Sequence, residues 1–278
     1  LADDVDVLSL AKGTPGFSGA DLENMVNEAA LLAAKRDQEK IRMIDFEDAK
    51  DKVYMGLERK SKVVRAEDRE NTAYHEGGHA IVARFLPDTD AVNKITIIPR
   101  GRAAGVTWFL PEERDFSYKE QLLNKLAILL GGRVAEEIIY NRLTTGASND
   151  IKEATNLANK MIRDWGMSKK LGPLSYSLSN DQVFLGREIS QHRDYSEDTA
   201  RMIDQEVSDF VAWGYQTAHK ILTENIDILH KLTQLLLEKE TIMGAELDEL
   251  IFSLRPGIDL PSRKNADQDE EEGIETEA

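Results

Sequence analysis

Two histidines stand four residues apart in "AYHEGGHAIVARFLP" (residues 73–87), with a glutamate directly after the first. On an α-helix, positions i and i+4 share a face one turn apart. His75 and His79 can therefore each turn a ring nitrogen toward a single ion. Glu76 points to the side of that face, where it reaches a water on the metal without ligating the metal itself. This is the HExxH arrangement of zinc hydrolases, two ligands plus a general base. Zinc lowers the pKa of its water to about 7, and the glutamate takes the proton as the water attacks a peptide carbonyl. Helix stability gives no reason for the stretch, because each mid-helix glycine costs about 1 kcal/mol against alanine. The flanking Ala80, Ile81, Val82 and Phe85 place the helix in a core, where unpaired imidazoles and a carboxylate would be costly. Gly77 and Gly78 would let another backbone or a substrate come close.

Catalytic zinc usually takes three protein ligands and keeps a fourth position open. The remaining histidines are poor candidates. His219 and His230 lie on helical stretches and read as solvated-face residues, while His192 sits in the polar "REISQHRDYS". Two carboxylates fit better. Glu136 lies near the apolar stripe of its helix, in line with Leu122 and Leu129, and an i, i+3 pair with Arg133 would be its ordinary role. Asp150, in "TTGASNDIKEA", falls where a loop meets a helix, and its ordinary role would be to favour the helix N-terminus. Spacing leaves both open.

The elements that must position these residues are mainly helical. "FSGADLENMVNEAALLAAKRD" opens with Ser18 and Asp21 in capping-box spacing, and Leu22, Met25, Val26, Ala29, Ala30 and Ala33 form its expected buried face. "IDFEDAKDKVYMG" follows, with Asp45 as the expected N-cap and Gly56 as its stop. "AVNKITIIPRG" and "GVTWFLP" are short β-branched runs around a turn, which predicts a hairpin. A helix over "SYKEQLLNKLAILLGGRVAEEIIY", another over "SNDIKEATNLANKMIRDWGM" capped by Ser148 or Asn149, and long helices over about 197–222 and 226–239 come next. Their apolar stripes are Ile203, Val207 and Phe210, then Ile228, Leu232 and Leu235. "AELDELIFSL" closes the fold. The reading is α+β: mainly α with a small β-hairpin element. It divides into a helical unit over residues 1–60, a metallopeptidase domain over 61–256, and an acidic, disordered tail over 257–278.

Composition narrows the function. A net charge of −16 argues against nucleic acid and anionic membranes as partners, and seven of the negative charges follow Ala266. The chain has no cysteine, which excludes disulfides and thiolate metal sites. It holds no apolar run long enough to span a bilayer, and no signal peptide is visible. The first residue is leucine, so a longer parent with an upstream membrane anchor is expected.

Six motifs, "FSGADLENMVNEAALLAAKR", "AYHEGGHAIVARFLP", "KITIIPRG", "GGRVAEEIIY", "TTGASNDI" and "FLGR", closely resemble in order and spacing the FtsH family of membrane-anchored, ATP-dependent zinc proteases. The resemblance runs from the start to about Pro256. It implies that residues 1–60 are the helical lid of an AAA-type ATPase and that the rest is the protease domain. It also implies zinc bound by His75, His79 and Asp150, with Glu76 activating water. Homo-hexamers are implied, as is anchoring in a bacterial inner membrane or organellar equivalent through upstream helices absent here, with this portion facing the cytoplasm. The implied substrates are unfolded or misassembled proteins. No GxxxxGK[ST] phosphate loop occurs in the 278 residues, so ATP would act only through an ATPase core missing from this chain. Two rivals remain: a zinc hydrolase of other specificity, and an interaction module with an inert site. The intact His75, Glu76, His79 and Asp150 count against inertness.

Overall fold

A computed structural model describes residues 1–58, 64–101, 103–112, 114–177 and 195–261. The "FLGR" motif, His192 and the acidic tail from residue 262 lie outside the described residues. The chain forms two compact units, one of residues 1–80, 90–114 and 227–259, the other of 81–89, 115–226 and 260 onward. The helices expected as a separate lid thus share a unit with the sheet.

The first unit begins with α1 (Val7–Lys12), α2 (Gly19–Lys35) and α3 (Met43–Met55). Ser18 caps α2 in a reciprocal box with Asp21, as its spacing predicts. The buried face of α2 is narrower than the pattern suggests. Met25, Ala29 and Ala33 are buried, whereas Leu22, Val26 and Ala30 are exposed. One i, i+4 row is enough to meet α3, where Phe46 and Ala49 complete a small core with Leu10. Helix α3 starts one turn earlier than expected. Arg42 is its N-cap, and Asp45 at N3 accepts from the Arg42 backbone N–H at 2.9 Å. Gly56 ends it as predicted.

Next come α4 (Ala66–Phe85), which contributes to both units, then β1 (Ala91–Thr96) and β2 (Val106–Leu110). The hairpin is antiparallel, with Ile95 opposite Thr107 and Lys94 opposite Trp108, and a bulge between Val92 and Lys94. A third strand was not anticipated: β3 (Thr241–Met243) pairs antiparallel with β1 and makes it the central strand. Three residues are too short for periodicity to register. Helices α8 (Ile226–Lys239) and α9 (Gly244–Leu254) flank β3 in sequence, and α9 packs on β1 and β3.

Between α3 and β1 lies a buried ionic cluster. Lys94 Nζ donates to both Asp51 oxygens, at 2.9 and 3.0 Å, and to Glu47 Oε2 at 3.4 Å. Lys50 pairs with Glu47 at 2.7 Å, and Arg100 Nε stands 3.6 Å from Asp51. Glu47, Lys50, Asp51, Lys94 and Arg100 are all buried. Each charge there has an opposite within reach, which offsets its desolvation.

The second unit is built on α5 (Lys119–Tyr140), α6 (Ser148–Arg163) and α7 (Glu197–Glu224). Leu122, Leu126 and Leu130 of α5 meet Ala154, Ala158 and Met161 of α6, with Val207, Phe210 and Tyr215 of α7 alongside. The loop after α6 is pinned to α7 at Ser168, which donates to Glu206 Oε2 at 2.6 Å and accepts from the Lys170 and Leu171 N–H groups. Burial pushes the Glu206 carboxyl up, but bonds from Lys170 and Ser168 outweigh it and hold the group below its ordinary value.

Two outcomes follow from these contacts. Removing one partner of a buried ion pair typically costs about 3–5 kcal/mol, so Lys94→Met lowers the urea midpoint strongly, and adding Asp51→Leu restores much of it. Because the Glu206 pKa is depressed on folding, its stabilisation is complete above its ordinary value of 4.5 and is lost as pH falls through the lower folded value. Glu206→Gln therefore lowers the thermal midpoint at pH 7 and narrows the gap from wild type in strong acid.

Candidate metal centre

Helix α4 carries the histidine pair in its central turns, and its residues from Ala80 to Arg84 are buried. His75 is half-buried, while His79 and Glu76 are buried. Both histidines aim the same nitrogen inward: Nε2 of His75 and Nε2 of His79 are 3.1 Å apart, the rings crossing edge to face at 81°. Two nitrogens each about 2.0–2.1 Å from a tetrahedral zinc stand about 3.3 Å apart, so the pair fits that ion in chemistry and spacing.

Glu76 is held from the sheet. Thr107 Oγ1 on β2 lies 2.9 Å from Glu76 Oε2 and 3.0 Å from the Glu76 backbone oxygen, and it donates to both. Gly105, just before β2, is pressed against the same side chain. A Cβ there would stand 2.9 Å from Glu76 Cγ, 2.8 Å from Thr72 Cγ2 and 2.8 Å from the Thr96 carbonyl oxygen. Neither Thr107 nor Gly105 was singled out from the sequence. A threonine in a β-branched run looks like any strand former, and a glycine before a strand looks like any turn.

Gly77 has a packing reason rather than a substrate-facing one. Its absent Cβ leaves room for Leu229 and Leu232 of α8, which would otherwise be met at 3.2 and 3.4 Å. Tyr74, also buried, lies 2.9 Å by its hydroxyl from Nδ1 of His230, and burial, then the charge of Glu70, pushes its phenol up. His219 and His230 are exposed, as expected.

The two candidate carboxylates belong to the second unit. Glu136 on α5 is 1% exposed, and Thr144 donates to its Oε2 at 2.6 Å. Thr144 Oγ1 also accepts from the Gly146 N–H at 3.0 Å, so the buried carboxylate holds the loop that leads into α6. Asp150 is half-buried in the first turn of α6, where the helix dipole favours an anion. The expected cap from Ser148 or Asn149 is absent. Ala147 is the N-cap without a side-chain bond, and Asn149 instead reaches Glu153 at 2.8 Å. The start of α6 is tied down through Thr144 and Glu136, which capping rules do not reveal.

A paired imidazole edge beside a hydroxyl-anchored carboxylate is the site of a metal-dependent hydrolase. The sequence pattern of peptidase family M41 matches residues 62–250, and that of the AAA+ lid domain matches residues 4–48. The chain belongs to peptidase family M41, with an AAA+ lid preceding the peptidase domain. Among its relatives are proteins named ATP-dependent zinc metalloprotease FtsH. That of Magnetococcus marinus is 55% identical over 252 residues, 90% of this chain and 37% of the relative. That of Acidobacterium capsulatum is 53% identical over 265 residues, 95% of this chain and 41% of the relative. That of Myxococcus xanthus is 48% identical over 252 residues, 90% and 40% respectively. The chain thus spans about two fifths of these relatives.

The contacts around Gly105 leave no space for a methyl group, and overpacking typically costs about 1–3 kcal/mol. Gly105→Ala should lower the thermal midpoint accordingly. Gly19→Ala, at a helix position with nothing within 4 Å, should not.

Proposed function

We propose that this chain is a zinc-dependent endopeptidase in which His75, His79 and Asp150 hold the metal and Glu76 is the general base. The observation that carries this reading is the convergence of the two Nε2 atoms on α4, one residue from a buried glutamate. Asp150 is favoured over Glu136 as the third ligand because His75, His79 and Asp150 form a set whose donor atoms could hold one ion. Glu136 has a different task, since its carboxylate anchors the Thr144 loop. Zinc, when bound, polarises the scissile carbonyl and acidifies water. Glu76 takes the proton of the attacking water and passes it to the leaving amine. The substrates are unfolded or misassembled proteins. Likeness to the FtsH relatives further supports a homo-hexamer, membrane anchoring and ATP-driven unfolding, all through parts of a longer protein outside these residues. The fold is in keeping with that division, as no helix among the described residues is long and apolar enough to cross a membrane.

Three variants separate the roles when zinc content and peptide cleavage are measured together. Glu76→Gln keeps the metal and loses about 10²–10⁴-fold in rate, the usual loss for a general base. Asp150→Asn loses both zinc and activity, because an amide is a weaker ligand than a carboxylate. Glu136→Gln retains zinc and loses less activity, since its amide oxygen still accepts from Thr144. Zinc stripped by Glu136→Gln but kept by Asp150→Asn would exchange the two assignments.

A further inference from the structure

A carboxylate buried in the middle of a helix needs hydrogen-bond donors, and the nature of the donor decides what the carboxylate can do. Glu76 is met from β2 by the Thr107 hydroxyl, 2.9 Å from Oε2. That hydroxyl is itself well fixed. Thr107 is β-branched and sits in a strand, which restricts its χ1. Its strand partner Ile95 is fully buried on β1, and the next residue of β1, Lys94, is held by Asp51 and Glu47. The approach of Gly105 to Glu76 Cγ confines the same side chain closer to its backbone. One carboxylate oxygen is therefore anchored, and the stem is confined.

We propose that Thr107 is a positioning residue for the general base: its hydroxyl holds Oε2 of Glu76 and so presents the other oxygen, Oε1, to the attacking water. This rests on the reading of Glu76 as the base. A free glutamate turns about three side-chain bonds, and only a small share of those states places an oxygen in line for proton transfer. A donor on one oxygen selects among them without consuming the oxygen that accepts the proton. A hydroxyl suits the task, because it donates a single hydrogen bond and brings no charge that would compete with the metal or the histidines.

The test compares Thr107→Val, which keeps the β-branched shape and removes the hydroxyl, with Thr107→Ser, which keeps the hydroxyl and removes the methyl. Cleavage of a quenched fluorescent peptide, zinc content and thermal midpoint are measured for each, with Glu76→Gln in parallel. Loss of an outer partner of a metal site typically costs about 10–100-fold, and Thr107→Val should lose that much in kcat with KM and zinc content unchanged. Thr107→Ser should recover most of the rate. Should valine not be accommodated, Thr107→Ala takes its place in the comparison with serine. Full kcat in a zinc-loaded Thr107→Val protein overturns the positioning role while an inactive Glu76→Gln leaves Glu76 as the base. Equal damage from serine and valine, or loss of zinc with the hydroxyl, shows that Thr107 acts through packing or the metal and also overturns it. A rate retained by Glu76→Gln removes both readings together.

Discussion

Burying ionisable groups at the centre of α4 is the constraint around which the rest is arranged. An apolar helix face would pack without help, but Glu76 and His79 replace part of that face and must be partnered. The sheet meets the need on one flank, with the Thr107 hydroxyl on the carboxylate and a glycine where no larger residue fits. Helix α8 closes on Gly77 through two leucines. The glycine that weakens the helix by propensity is thus repaid in packing, and the motif's local cost has a tertiary reason.

The sheet can hold Glu76 only if it is itself held, and the cluster around Lys94 explains how. Glu47 lies within the part of the chain matched as an AAA+ lid, and Lys94 within the part matched as the peptidase. Their contact through Lys94, Asp51 and Lys50 joins lid helix to central strand inside one compact unit. Buried ion pairs are seldom the most stable way to fill a core, because desolvation offsets much of the attraction. They do tolerate only a narrow set of geometries. A Lys94 held at 2.9 and 3.0 Å by both oxygens of one aspartate sets the position of its strand more tightly than an apolar contact would.

The second unit uses the same device for a different end. Glu136, buried in α5, holds a loop through Thr144, and that loop sets where α6 and Asp150 begin. Ser168 repeats the pattern on the far side of α6, a hydroxyl shared between a buried carboxylate on α7 and two backbone N–H groups. In each case a small hydroxyl residue converts a costly buried charge into a fixed loop.

The sequence by itself determined the helices, the hairpin and the identity of the metal-binding pair. These follow from local periodicity and from an i, i+4 spacing that any helix turns into a shared face. It set out both Glu136 and Asp150 as candidates and could not rank them by spacing, since neither carboxylate is tied to α4 by any local period. It overstated the buried face of α2 and placed the cap of α3 one turn late, because how wide a face is covered, and which polar group meets which N–H, depends on the neighbour that arrives. Tertiary structure alone decided the third strand, the lysine clamped beneath the sheet, and the threonine that reaches Glu76 across 31 positions of chain. Contacts between residues so far apart leave no period in the sequence, and a hydroxyl in a strand declares its partner only once the strand has been laid against the helix.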